Sequence, residues 1–360
     1  MIPYDETELK TAGTQILRTT GASREVPLFS FPVSPREAFL SVYSRQPIWL
    51  PYNVGKQYVN PRMIPDNVAR AVVTDARLPE SAFGGRDMFG VLWEYVPVTG
   101  GSMVRPENHL FEDASQWREK LVFPEIDRWD WEGGARSWEA VRNPDQAQVF
   151  TIFSGFWFER IISFMGFEAG AMALIDSAQK PYVHALLQAL SDFSCRYVDL
   201  ICDHFPVDGF FVHDDWGTMV SSIFSPETCR EMIVPYMRQF TDHVHRRGKF
   251  AELHSCGKIE NQVPNIIAAG WDSWCPMLIC DIDRMFQEYG DRLIFAVAPE
   301  DFDPETTSVA EQWAIARRFA QRYCIPGKPC FYNNYALSRL TPAFTEELYR
   351  TSRQLYAEIE

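Results

Sequence analysis

From about residue 147 the chain alternates short apolar runs with longer amphipathic ones. Val149 to Phe153 has the length and apolar character of a buried strand. The helix predicted after it has Asp176 near its end. Val183, Leu186, Leu187, Leu190, Phe193, Tyr197 and Ile201 then recur at spacings of three and four, one apolar stripe along a helix. Gly209 to His213 predicts a buried strand that runs into Asp214-Asp215-Trp216-Gly217. Ser225-Pro226 opens a helix that ends near Gly248, since Ser caps and Pro suits the first turn. Lys249 to Leu253 is a strand ending in His254-Ser255-Cys256-Gly257. Helix 259–269, strand 273–277, helix 281–289, strand 293–298, helix 308–323, strand 330–332 and a last helix opened by Thr341-Pro342 complete the series.

The first part of the chain is less regular. Residues 1–33 are expected to form an N-terminal arm, loosely attached, ahead of a single domain over 34–360. Ser34-Pro35 starts a helix through Tyr43, and DMFGVLWEYVPVTGG at 87–101 suggests a strand followed by a glycine turn. Residues 102–145 are rich in Trp, Pro and charge and suggest an elaboration over the mouth of the main fold.

Repeated strand–helix alternation implies a parallel sheet with right-handed crossovers, an α/β class. A closed barrel and an open doubly wound sheet both satisfy it. No glycine-rich dinucleotide fingerprint follows any early strand, which favours a (β/α)8 TIM-type barrel. In such barrels the chemistry gathers where strands end and loops begin.

Charge and composition narrow the function. A net charge of −14 and a pI near 5.0 argue against a nucleic-acid partner and against an anionic membrane surface. No apolar run reaches the length of a membrane span, and the first residues lack a basic start and an apolar core, so the cytoplasm is the expected location, as monomer or homodimer. The 8 cysteines are scattered, and most suit packing as small hydrophobes better than a disulfide framework. Aromatics reach 14 %, which fits a bulky core or a pocket for a flat ligand.

Three polar clusters fall at predicted strand ends. In Asp214-Asp215-Trp216-Gly217 both acids must leave the core; one can face a pocket while the other caps a helix or pairs with Arg. In His254-Ser255-Cys256-Gly257 the imidazole and the thiol are two apart, so both can grip one ion, and zinc accepts this nitrogen–sulfur mixture. Packing Cys and a satisfied His are the plain alternative. The third cluster, from Phe153 through Trp157 to the adjacent Glu159-Arg160, offers either a helix packing face or an aromatic wall for a ring-shaped substrate, with an ion pair beside it.

In these residues the chain resembles the uroporphyrinogen decarboxylase superfamily, and more closely its methyltransferase branch. The resemblance spans roughly 34–358 and rests on SPREAFLSVYSRQPIWLP at 34–51, DMFGVLWEYVPVTGG at 87–101, GFEAGAMALIDS at 166–177, VHDDWGTMVSSIFSPETCREMIVPY at 212–236, HRRGKFAELHSCGKIENQVPNIIAAGWDSWCPM at 245–277 and YGDRLIF at 289–295. It implies a TIM-type barrel. The decarboxylases bind a porphyrinogen's carboxylates through an Arg-rich segment, where this chain has only Arg45 and Arg62 in SRQPIWLPYNVGKQYVNPRM. The methyltransferase branch carries a His-x-Cys zinc pair, matched by His254 and Cys256. Its third ligand is a Cys after the last strand; this chain has Tyr332-Asn333-Asn334-Tyr335 there, with Cys330 inside the strand, and Asp214, Asp215 and Glu94 are candidates from other loops.

The resemblance further implies methyl transfer to or from a corrinoid (cobalamin) held by a partner protein, with zinc as charge stabiliser. The aromatic excess points to O-demethylation of a methoxylated aromatic. Asp214 or Asp215 would bind or protonate the phenolic oxygen, with His254 also at the catalytic centre. Phe153, Trp157, Trp216, His213 and Asn333 would contact the substrate. Methylcobalamin:thiol methyl transfer, decarboxylation of a porphyrinogen-like acid without a metal, and a non-catalytic tetrapyrrole carrier are the other readings.

Overall fold

The computed structural model describes residues 2–19 and 22–358. The chain forms two compact units, one of Met1–Gln57, Asn143–Ala147 and Asp272–Glu360, the other of Tyr58–Arg142 and Gln148–Trp271. The fold is α/β of the TIM-barrel type, built in both units from short parallel strands followed by helices.

In the Tyr58–Trp271 unit the strand Ala147–Ile152 pairs in parallel with Gly209–His213, and that strand with Phe250–His254. Every residue of the first and last of these is buried. Strands covered on both faces read as continuous apolar runs, which is why the sequence shows no alternation there. The register sets His213 opposite His254. Helices Phe158–Met165, Phe167–Ala173 and Lys180–His204 follow the first strand. The single helix expected over 225–248 is two, Pro226–Met232 and Val234–Arg246. Pro235 lacks the N–H that would continue the ladder, and Ile233 at the junction has φ −114°.

The 87–101 segment is not a barrel strand. It supplies Leu92–Val96, the middle of a small antiparallel sheet with Gly85–Arg86 and Gly101–Val104. The Trp-rich stretch after it folds into short helices, Trp117–Lys120 and Trp131–Glu139.

In the other unit Ser273–Cys275, Ile294–Val297 and Cys330–Tyr332 run parallel, separated by helices Ile282–Tyr289 and Val309–Tyr323. The helix Pro35–Tyr43 starts where expected: Ser34 accepts from the N–H of Glu37, and Glu37 returns the bond. The N-terminal arm is not loose. Thr11–Thr19 and Ala22–Phe29 form an antiparallel hairpin. Phe29 stacks 5.4 Å from Tyr349 of the last helix, Pro342–Ala357, and Phe31 lies 5.1 Å from Trp49. Sequence periodicity does not reveal such a cluster, because its members come from three distant segments.

A buried ion pair locks this arm. Arg353, almost fully enclosed, bonds Glu8 at 2.8 Å, and the Tyr349 hydroxyl donates to Glu8 at 2.5 Å. Burial alone would raise the Glu8 carboxyl, but the bonds from Arg353 and Tyr349 hold it below its ordinary value. Its stabilisation is therefore complete above the ordinary carboxylate pKa and lost as pH falls through the lowered one. Arg353→Met strands the buried carboxylate and is expected to cost about 3 kcal/mol. Urea melts at pH 7 and pH 3 check this: the gap between wild type and variant narrows in acid.

Candidate active site

The site lies in the Tyr58–Trp271 unit, at the ends of three parallel strands. Side chains alternate in direction along an extended chain. His213 and Asp215 therefore leave the strand end on one side, and Asp214 and Trp216 on the other. Asp214 is fully buried and accepts hydrogen bonds from the N–H groups of Phe158 (3.2 Å) and Glu159 (3.0 Å). It also accepts the Trp216 indole N–H at 2.6 Å. It thus closes the first turn of Phe158–Met165, where a carboxylate suits the free N–H groups of a helix start. Burial, against these donors, pushes its carboxyl up to about 7. Only glycine fits beside it: a Cβ on Gly155 would lie 2.7 Å from the Asp214 carboxylate.

Asp215 turns the other way and lines a cavity of about 1030 Å³ together with Arg70, Trp93 and Glu159. Its Oδ1 accepts the Cys256 N–H at 2.7 Å. His254 Nε2 lies 3.4 Å from Cys256 Sγ. One ligand atom each from Asp215, His254 and Cys256 falls within 4.8 Å of the others, the one such cluster among the described residues. The loops carrying them meet closely: a Cβ on Gly257, at φ +91°, would lie 2.2 Å from the Gly217 backbone.

The rest of the strand end is aromatic. The His213 ring lies 4.7 Å from that of His254 and 4.5 Å from that of Phe153. Burial, then the neighbouring His254, keeps His213 well below the usual imidazole range, so its ring is neutral. Its Nε2 is buried without a hydrogen-bond partner. Burial, then the Asp215 charge, raises the Cys256 thiol well above its usual value. The same two causes raise Glu159, whose Oε1 lies 3.8 Å from Arg70.

Of the residues singled out from sequence, Asp215, His254, Cys256, His213 and Phe153 come together. Asp214 and Trp216 bond to each other inside the protein. Trp157 is fully buried, edge-on to Phe240 at 5.4 Å and Trp271 at 6.0 Å, and does not line the cavity. Asn333 belongs to the other unit, where its amide donates to the carbonyls of Pro276 (2.9 Å) and Ala296 (3.4 Å). Cys330 is buried there too, its thiol 3.5 Å from the Tyr323 carbonyl. Glu94 is engaged by Arg105 on the antiparallel sheet. Glu159 and Arg160 do not pair with each other: Arg160 binds Asp66 and Asp87.

Arg70 and Trp93 had no signal in the sequence. They reach the cavity through the Arg160 network. Arg160, without solvent exposure, bonds Asp66 and, at 2.9 Å, Asp87. Asp87 also accepts the Trp93 indole N–H at 3.0 Å. Neighbours in sequence gave no hint of contacts that span up to 94 residues.

Residues 166–284 match the family model described as "Uroporphyrinogen decarboxylase (URO-D)". A methyltransferase from Methanosarcina mazei has a similar fold, with a TM-score of 0.59 at 15 % identity over 89 % of this chain and 98 % of that one. A xylose isomerase-like TIM barrel protein from Mycobacterium smegmatis, in complex with magnesium, gives a TM-score of only 0.29 at 11 % identity, over 65 % of this chain and 92 % of that one, and carries no argument. No curated protein matches by sequence. No helix among the described residues is long and apolar enough to cross a membrane.

The geometry predicts that Cys256 reacts slowly while its proton is held. In metal-free protein at pH 8, iodoacetamide should alkylate it more slowly than a free thiol. Asp215→Asn removes the largest cause after burial and should speed the reaction about tenfold, one unit of thiol pKa. Mass spectrometry of the Cys256 peptide reads the rate.

Proposed function

We propose, from the match of residues 166–284 to the uroporphyrinogen decarboxylase family model and the fold shared with a methyltransferase, that this chain is a methyltransferase that moves a methyl group between a small methoxylated aromatic and a corrinoid carried by a partner protein, with zinc as charge stabiliser. One observation carries the reading: a carboxylate, an imidazole and a thiol converge at a strand end, and the carboxylate also faces a large cavity.

The donor set fits zinc. Catalytic zinc takes three protein ligands from nitrogen, sulfur and oxygen and keeps a fourth position open. His254, Cys256 and Asp215 would hold it. Bound there, it would act as a Lewis acid toward a substrate oxygen or thiol. The residues around it have their own tasks. The Asp215 Oδ1 bond to the Cys256 N–H fixes the loop that presents the thiol. His213, neutral and partly enclosed, offers a polar nitrogen without adding charge. Phe153 lies against His213 and can extend an aromatic surface toward a ring. Asp214 acts through position, by holding the helix that presents Glu159 to the cavity.

A porphyrinogen decarboxylase fits less well. Among the charged residues lining the cavity, Arg70 and Arg105 are outnumbered by Glu112, Glu168 and Asp215. A ligand with many carboxylates would meet net repulsion there.

Elemental analysis tests the metal. Purified protein is expected to carry about one zinc per chain, and a His254→Ala, Cys256→Ala double variant none. Incubation with reduced cobalamin and an aryl methyl ether should then give the phenol and methylcobalamin, with turnover in the double variant at least 100-fold lower. Methylation of an added thiol without ether cleavage would move the assignment to methylcobalamin:thiol transfer. Zinc-free, inactive wild type would sink the reading.

A further inference from the structure

Arg70 shares the cavity with Asp215 and Glu159. It ends the short helix Pro65–Ala69. The next residue, Ala71, has φ +64°, the left-handed region that normally takes glycine. That turn is closed by bonds from the N–H groups of Arg70 to Asp66 (2.8 Å) and Val72 to Asn67 (2.8 Å). The strain falls directly beside the arginine, and strained residues gather where a side chain must be held in one place.

The guanidinium itself is preset. Its carbon lies 4.4 Å above the Trp93 ring. That ring is in turn fixed by its bond to Asp87, which Arg160 holds. Asp66, on the same short helix, is bound to Arg160 and to the Met88 N–H. Against this support, Arg70 has one ion-pair contact among the described residues, 3.8 Å to Glu159, too long for a hydrogen bond. Its side chain is 19 % exposed. A cation with five donors is thus oriented in a cavity and largely unspent on the protein.

We propose that Arg70 is a catalytic residue that binds the aryl oxygen from which the methyl group departs and holds the negative charge that collects there. The proposal rests on the methyltransferase reading and deepens it, since it names the side chain that holds the phenolate leaving group. A reduced corrinoid held by the partner would supply the electron pair that bonds the methyl carbon. The carbon–oxygen bond breaks with both electrons left on oxygen. Arg70 stays protonated throughout and donates N–H bonds to the aryloxide, which takes a proton from water on release. Donors fixed before the reaction stabilise such charge most effectively because they need no reorganisation. Asp215, which would share in holding the metal, lines the same cavity.

The test uses 4-nitrophenol, whose ionisation is read by absorbance, with wild type, Arg70→Lys and Arg70→Met, each with and without zinc. Wild type is expected to lower the apparent pKa of the bound phenol. Arg70→Met should raise it again by about one unit, tenfold in the ionisation constant, and Arg70→Lys by less. A merely structural role for Arg70 would weaken binding without moving this pKa. Methyl transfer from aryl ethers of graded leaving-group acidity gives a second readout. Arg70→Met should lose on the order of 100-fold in kcat/KM with poor leaving groups and under tenfold with good ones. Equal pKa values in wild type and Arg70→Met, or equal losses across the ether series, overturn the assignment. So does a wild type that binds no phenol. An Arg70-dependent pKa shift without any methyl transfer to the corrinoid supports the oxyanion site and counts against the methyltransferase reading alone.

Discussion

A guanidinium with no solvent exposure organises the candidate site from behind. Arg160 is shared between Asp66 and Asp87, and its carbon rests 4.9 Å over the Phe89 ring. Removing one partner from such a cluster leaves an uncompensated charge in a low-dielectric interior, which costs several kcal/mol. The cluster therefore has one acceptable arrangement. It joins three pieces of chain: the helix that carries Arg70, the turn before the Trp93 strand, and the helix that carries Glu159. Each of these side chains lines the cavity.

The two adjacent acids show how one strand end serves both structure and chemistry. Alternation along the backbone sends them to opposite sides. Asp214, with three N–H donors, is committed to the start of Phe158–Met165. Asp215 keeps its carboxylate near His254 and Cys256. The same residue type, one position apart, becomes an anchor in one case and a candidate ligand in the other. Their environments differ by what meets them.

Electrostatics around the strand ends follow from the same crowding. Glu159, Cys256 and His213 are all pushed toward their neutral forms, in each case first by burial. A divalent cation would reverse that pressure on the thiol, since a coordinating thiol is deprotonated. A site rich in groups that shed charge until a cation arrives is chemically consistent with the donor set it presents.

The class of the fold was legible in the sequence, and so was the gathering of polar residues where strands end. Fully buried parallel strands leave unbroken apolar runs, and helices leave spacings of three and four, so the second half of the chain could be read element by element. His254 and Cys256, two apart after such a run, and the paired acids after Gly209–His213 were legible for the same reason. Contacts between distant segments were not. The hairpin of the arm depends on Phe29, Trp49 and Tyr349 meeting. The third member of the donor cluster was one of several acids until the loops closed on each other at Gly217 and Gly257. Trp157, placed by sequence beside the substrate, is fully buried edge-on to Phe240 and Trp271. Local pattern determines which elements form, because it acts through hydrogen bonds and faces within a few residues. Only the tertiary structure decides which polar side chains share a cavity, because long-range burial and charge pairing select the one arrangement that leaves no charge stranded.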